Sequence, residues 1–200
     1  SVFFSNFADQ ALYRIDKGTV EKVCGEEGKR YANPLRDPTR NVIYAIQEEH
    51  RSEHDVVNTL VKIGHEIEVI HEGHDFYAMP ALHPKGTHLA FITWDHPNMP
   101  WDGSTLWVGE LTKEGTLVNI KAVAGGNNES IFQPLWSPDG ILHYVSDRSG
   151  WWNLYRDGEE LYPMEAEFGQ PLWVFGMSNY GFLSDGQIGC VYTISGTDYL

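Results

Sequence analysis

A motif with two prolines, Pro-x-x-x-Pro, occurs three times in the chain and constrains its fold more than any other feature. The copies begin at Asn33, Met79 and Gln133, so the spacing is 46 and then 54 residues. Each copy leads into a short turn and then into a strand-like run in which an aromatic residue follows an aliphatic one by two positions, as Tyr44 follows Val42. Residues two apart share one face of a strand. The spacing therefore predicts one β unit that is used several times.

Each complete unit is expected to contain four short strands. In the third unit the strand-like runs cover roughly 131–137, 141–147, 153–157 and 160–164. Four-stranded antiparallel units that repeat every ~40–50 residues are typical of β-propeller blades, and proline in the first strand fits a position near a turn or an edge. Segment 55–63 could be helical, but its β-branched residues favour a strand. A β-sandwich is the competing all-β fold, although it does not account for the recurring motif.

The predicted fold is all-β, a β-propeller segment over 1–200 with about three whole and two partial blades. The expected boundaries are 1–28 (partial), 29–75, 76–129 and 130–169 (whole), and 170–200 (partial). Stacked repeats without covered ends expose apolar faces. We therefore expect self-association through open blade edges, with a tight closed ring as the alternative.

Composition excludes several classes of partner. The formal net charge is −14, whereas nucleic-acid-binding surfaces are normally basic. The longest apolar run, Val42–Ile46, is far shorter than the roughly 20 residues that span a bilayer, so no membrane partner is expected. The only cysteines, Cys24 and Cys190, are distant in sequence. Two buried free thiols in a reducing compartment are the natural interpretation, which predicts a cytoplasmic protein.

Several segments resemble one known family. Pro134–Gly140, followed by Tyr144–Tyr155, resembles the Pro-Asp-Gly propeller repeat found in the Tol-system propeller and in serine peptidases of the prolyl oligopeptidase family. The tryptophan-rich segment Trp94–Gly103 is more particular, and it resembles the acylaminoacyl-peptidase and dipeptidyl-aminopeptidase branch of that family. Glu165–Gly169, ahead of Trp173–Gly176, fits the same branch.

The resemblance implies a function for the chain. Peptidases of this family pair a propeller with an α/β-hydrolase domain, so this chain would be the non-catalytic propeller that admits only short peptides to the active site. Its partners would be a peptide substrate and the hydrolase domain, and no cofactor is implied. The alternative is a stand-alone propeller that binds proteins, like the Tol-system module.

Catalytic and metal motifs are missing from the sequence. The nucleophile of such hydrolases lies in Gly-x-Ser-x-Gly, and the nearest segment, Gly181–Gly186, is one residue too long and places Ser184 in a predicted turn. No catalytic residue is therefore assigned, and whether the chain alone is an enzyme is left open. The histidine pairs His50/His54 and His71/His74 fit loops and blade junctions better than a metal site.

Two groups of residues are singled out. The ten-residue insertion Trp94–Gly103 is the candidate for substrate or interdomain contact, since such loops carry function on a rigid scaffold; its members are Trp94, Asp95, His96, Asn98, Trp101 and Asp102. Packing on the missing hydrolase domain and contact with substrate remain equally open.

A second group is expected to be structural, with Asp147 accepting backbone N–H groups and Arg148 pairing with a carboxylate. It contains Pro138, Asp139, Gly140, Asp147, Arg148 and Gly150.

Overall fold

The computed structural model describes residues 1–200 and contains strands, turns and loops but no helix. Strands β1 (Val2–Ser5), β2 (Leu12–Asp16) and β3 (Thr19–Cys24) form a three-stranded antiparallel sheet. Three four-stranded antiparallel sheets follow, each with its strands side by side in chain order. Their strands are β4 (Lys29–Asp37), β5 (Val42–His50), β6 (Val56–Ile63) and β7 (Ile67–His71); β8 (Phe76–Leu82), β9 (His88–Trp94), β10 (Ser104–Leu111) and β11 (Leu117–Gly126); and β12 (Ile131–Trp136), β13 (Leu142–Ser146), β14 (Asn153–Arg156) and β15 (Glu159–Glu160).

The predicted all-β fold of four-stranded propeller blades is confirmed. Segment 55–63 is a strand, β6, as its β-branched residues predicted. The structure also contains no helix that could cross a membrane.

The last segment departs from the regular pattern. Strand β16 (Tyr180–Phe182) pairs with β17 (Ile188–Cys190), and β18 (Tyr192–Ile194) pairs with β19 (Thr197–Tyr199), as two separate two-stranded sheets. Only Val191 separates β17 from β18, and its N–H donates to the carbonyl of Asn179, the residue opposite it in the register of β16 and β17. One extended stretch therefore pairs with β16 along its first half and with β19 along its second.

The core lies between the sheets, because alternate residues of each strand face the neighbouring sheet. The middle cluster joins Tyr44 and Leu60 of one sheet to Leu89 and Phe91 of the next. A larger cluster joins β8–β11 to β12–β15 and to the last segment, and a smaller one lies between β1–β3 and β4–β7. Each sheet thus buries its apolar face only against a neighbour, which is the packing of a repeat fold.

The proline motif has a clear structural role. Its first residue sits at a β-bulge in the first strand of each four-stranded sheet and has a positive φ, of 51° at Asn33, 52° at Met79 and 49° at Gln133. The following proline has no N–H to donate, so it is tolerated where the ladder is interrupted.

The bulges also connect successive sheets. The Met79 N–H donates to Asn33 Oδ1 at 2.8 Å, the Gln133 N–H donates to Met79 Sδ at 3.2 Å, and the Asn179 N–H donates to Gln133 Oε1 at 2.6 Å. The side chain at each bulge therefore satisfies a backbone donor in the next sheet. That donor lies at the next bulge for Met79 and Gln133, and just before β16 for Asn179.

The two ends of the sheets carry different connections. The hairpin end holds the turns between the first and second strands and between the third and fourth strands. The loop end holds the connections between the second and third strands and those from one sheet to the next. Asp37, His83 and Ser137 occupy equivalent places at the hairpin end, and each caps its own turn by accepting a backbone N–H.

Candidate functional site

The insertion Trp94–Gly103 lies at the loop end between β9 and β10, where hydrogen bonds hold it on both sides. Asp95 Oδ1 accepts the Asp75 N–H at 2.7 Å, and Asp95 Oδ2 lies 2.8 Å from His74 Nδ1. Asp75 in turn accepts the His96 N–H at 2.8 Å. These bonds lower the pKa of Asp95 against the opposing effect of its burial, so its carboxylate stays charged.

The far side of the insertion is attached to the connection that enters the next sheet. Asn98 Nδ2 donates to the Asn127 carbonyl at 3.0 Å, and the Ser130 hydroxyl donates to the Pro100 carbonyl at 2.9 Å. Gly103 is required here, because a Cβ at that position would lie 2.5 Å from the Asn127 carbonyl oxygen. The loop is therefore a fixed part of the surface.

Most of the six candidate side chains in this loop are engaged within the protein. Trp94 stacks on Phe76 with ring centroids 5.3 Å apart, and His96 packs edge-on against the same ring. Asp102 accepts the Met99 N–H at 2.9 Å and closes the loop. Asp95 and Asn98 are committed to anchoring, which leaves Trp101 as the candidate with the least internal role.

Trp101 contacts a second tryptophan that was not among the predicted site residues. Its ring centroid lies 4.2 Å from that of Trp173, in the segment before β16. Trp173 is 69% exposed, Val174 65%, Phe175 44% and Met99 46%. We call Met99, Trp101 and Trp173–Phe175 the tryptophan patch. Contiguous exposed apolar surface of this kind marks an interaction site.

Sequence reasoning noted Trp173–Gly176 only as part of a family resemblance. The contact could not be predicted from the sequence, because Trp101 and Trp173 are 72 positions apart and no strand pattern runs through the second segment. One sequence feature does link the two segments: both are rich in tryptophan and both interrupt an otherwise regular repeat.

The turn Asp147–Gly150 lies beside the same insertion. Asp147 Oδ1 accepts the Ser130 N–H at 2.7 Å, so Ser130 joins this turn to the Pro100 carbonyl. Burial raises the pKa of Asp147 despite this bond. The structure thus brings together two groups of residues that the sequence analysis treated separately.

Arg148 forms the centre of a small network. Its Nε lies 3.0 Å from Glu129 Oε1, its Nη2 donates to the Tyr144 hydroxyl at 2.7 Å, and its guanidinium lies 4.4 Å from the centre of the Tyr155 ring. Such stacking with fixed hydrogen bonds suits arginine. The contacts are internal, and no surface for a substrate remains on the guanidinium face that covers Tyr155.

The Pro138–Gly140 group lies at the opposite, hairpin end. Gly140 has φ 87° and donates its N–H to the Ser137 carbonyl at 2.8 Å, which closes the turn between β12 and β13. Asp139 accepts a hydrogen bond from the Ser137 hydroxyl. Ser184 occupies the corresponding turn between β16 and β17, as predicted, and the Gly186 N–H donates to Leu183 within it.

The histidines of the loop end pack with aromatic groups. His71 and His74 stack with centroids 5.9 Å apart, and His71 Nδ1 lies 3.0 Å from the Tyr77 hydroxyl. Burial, together with the nearby His74, lowers the pKa of His71 to about 4, so this ring is neutral at neutral pH. No group of three or more His, Cys, Asp or Glu side chains is arranged to hold a metal ion.

Comparison with known proteins places the chain beside peptidases. No protein-family model and no curated protein matches it. Among solved structures, it is similar to a puromycin hydrolase (31% identity, TM-score 0.87) and to a puromycin-hydrolyzing peptidase of Mycobacterium tuberculosis (33% identity, TM-score 0.87). Each match covers 95% of this chain and 33% of the other. The chain therefore spans about one third of the length of these peptidases.

A more distant match shows the fold alone. TolB from Acinetobacter baumannii is 18% identical with a TM-score of 0.63, over 98% of this chain and 47% of that protein. The matches to the peptidases confirm the predicted resemblance to the propeller of the prolyl oligopeptidase family.

Proposed function

We propose that this chain is the non-catalytic propeller of a cytoplasmic serine peptidase in the acylaminoacyl-peptidase and dipeptidyl-aminopeptidase branch of the prolyl oligopeptidase family. In this role it covers the active site of an α/β-hydrolase domain and admits only short peptides. The observation that carries the proposal is identity above 30% to two puromycin-hydrolysing enzymes across nearly the whole chain.

Two structural features support this assignment. The tryptophan patch is an apolar surface at the loop end, which is suited to packing against another domain. The insertion that carries Trp101 is held by hydrogen bonds on both sides, so it presents the patch in a fixed position. We assign the tryptophan patch to contact with the hydrolase domain, because Trp101 packs against Trp173 and the segment that begins at Trp173 leaves large apolar side chains exposed.

A cytoplasmic location is supported by the two thiols. Cys24 and Cys190 are both free and half-buried, and burial raises the pKa of the Cys24 thiol to about 11. A thiol that stays protonated is a poor nucleophile and resists oxidation. Neither cysteine therefore indicates an oxidising compartment.

The first test concerns activity. The 200-residue chain should not hydrolyse aminoacyl or acyl-peptide chromogenic amides above the buffer rate, whereas a polypeptide that joins it to the hydrolase domain should. Turnover by the chain alone that a serine-directed phosphonate abolishes would contradict a non-catalytic role.

The second test separates domain contact from a stand-alone binding module. In the joined polypeptide, Trp101→Ala and Trp173→Ala should each lower the thermal stability of the hydrolase domain and alter kcat/KM by about tenfold, which corresponds to the loss of a buried aromatic contact. Leu183→Ala, an exposed apolar residue at the hairpin end, is the matched control and should leave both unchanged. Normal activity and docking in both tryptophan variants would favour a protein-binding module of the TolB kind.

A further inference from the structure

At the hairpin end, two consecutive interfaces between sheets are built differently. Between β4–β7 and β8–β11, the turn Thr112–Thr116 reaches the preceding sheet, and three of its carbonyls accept hydrogen bonds. Arg40 Nε donates to Thr112 at 3.0 Å, Lys62 Nζ donates to Glu114 at 2.9 Å, and the Tyr44 hydroxyl lies 3.4 Å from the Gly115 carbonyl. These large side chains fill the interface.

The next interface has small residues at the same places. Ala90 pairs with Val108 in the same register in which Tyr44 pairs with Lys62, and Gly86 stands where the first interface has Arg40. In addition, β14 already ends at Arg156 and turns at Asp157–Gly158, so its hairpin is too short to reach the preceding sheet.

The consequence is a cleft of about 490 Å³ between β8–β11 and β12–β15, which lies within the range of small-molecule sites. Blades splay toward their edges in any propeller, but the filled interface next to this one shows that splaying alone does not leave such a space. Val108, one of the three replaced positions, lines this cleft, and so does the short turn Asp157–Gly158.

The walls of the cleft combine two kinds of surface. Trp136 and His88 form an aromatic wall, with ring centroids 6.0 Å apart, beside apolar Val108. Glu110, Lys121 and Asp157 supply the charged groups; all three are exposed, and none of them belongs to an ion pair of the protein. Unpaired charges of both signs around one aromatic wall are complementary to a ligand that carries both charges and an aromatic group.

We propose that this cleft binds a zwitterionic α-amino acid with an aromatic side chain. The carboxylates of Glu110 and Asp157 receive the ammonium group, Lys121 receives the carboxylate, and the ring lies along Trp136 and His88. The proposal depends only on the cleft and does not require the peptidase function, because the site lies at the opposite end of the sheets from the tryptophan patch.

Calorimetric titration of the chain tests the proposal with three probes of similar shape. L-Phenylalanine carries both charges, phenethylamine lacks the carboxylate and 3-phenylpropionate lacks the ammonium group. We expect saturable binding of L-phenylalanine and binding of each analogue that is weaker by about tenfold or more, because each analogue lacks one charged hydrogen-bonding group.

Substitutions test which charged residue of the cleft binds which charged group of the ligand. Lys121→Met should weaken the binding of L-phenylalanine by about tenfold or more and leave the binding of phenethylamine unchanged. Glu110→Gln should weaken the binding of both probes. Lys113→Met changes an exposed lysine outside the cleft and is the matched control; thermal unfolding without ligand verifies that every variant is folded. Absence of saturable binding up to about 20 mM, equal binding of all three probes, or no effect of Lys121→Met would overturn the proposal.

Discussion

The sheet β8–β11 packs against two neighbouring sheets, and the same repeat gives a filled interface on one side and an open cleft on the other. On the side of β4–β7, Tyr44 is fully buried, and Lys62, with only 7% of its side chain exposed, bonds to Glu68 and to the turn of the next sheet. On the side of β12–β15, Ala90 and Val108 occupy the equivalent positions and a cleft remains. The comparison teaches that the strand pairing of a blade is independent of what fills the space between blades.

The largest expected effect comes from emptying the filled interface. Tyr44→Ala should lower the free energy of unfolding by about 3–5 kcal/mol, because it removes a fully buried aromatic ring from the middle cluster and leaves a cavity. Chemical denaturation measures this. Tyr44→Phe is the control and should cost less than about 1 kcal/mol, since the hydroxyl contacts are long, at 3.4 and 3.5 Å. A small effect of Tyr44→Ala would mean that this interface is as loosely filled as its neighbour.

A second prediction uses the loop end of the same filled interface, where His71 packs against Phe91 and Trp107. The pKa of His71 is about 4 in the folded protein, below its ordinary value of 6.5, so the unfolded chain binds more protons than the native one. The stability that depends on this neutral ring is complete above pH 6.5 and is lost as pH falls toward 4, by about 1–2 kcal/mol once water contact with the half-buried ring is allowed for.

Other groups also titrate between pH 6.5 and 4, so the effect of His71 is measured as the difference in pH dependence between the native chain and a variant that lacks this histidine. His74 and Tyr77 face His71 directly, and Glu72 is its chain neighbour. His71→Gln retains a polar partner for the Tyr77 hydroxyl but does not titrate, and its melting temperature should fall less than that of the native chain between pH 6.5 and 4. Parallel pH profiles for the two proteins would show that His71 has no special role.

The smallest effect is expected at the open interface. Val108→Leu adds one methylene at the edge of the cleft, and because space is available there, the free energy of unfolding should change by less than about 0.5 kcal/mol. Ile46→Phe offers the contrast, since it enlarges a buried residue in the filled cluster and should cost about 1–3 kcal/mol. Equal losses in both variants would show that the cleft closes in solution.

Much of the repeat could be predicted from local sequence. The Pro-x-x-x-Pro motif and the aliphatic–aromatic alternation specify strands and turns through interactions between near neighbours, which the residue pattern records directly. The turn-capping role of Asp37, His83 and Ser137 follows in the same way. The sequence also predicted that Trp94–Gly103 is an insertion between two strands, which is where the structure places it.

Other features were decided only by the tertiary structure. Trp173 joins Trp101, and Ser130 connects the insertion to Asp147, through contacts between segments whose separation in sequence carries no periodic signal. The side-chain relay from Asn33 to Met79 to Gln133 depends on how successive bulges face each other. The cleft depends on the relative reach of two hairpins and on the side chains, such as Val108, that face the next sheet. Local pattern determines which backbone groups pair within a sheet, whereas the packing of one sheet against another depends on side-chain volumes that meet only after the chain has folded.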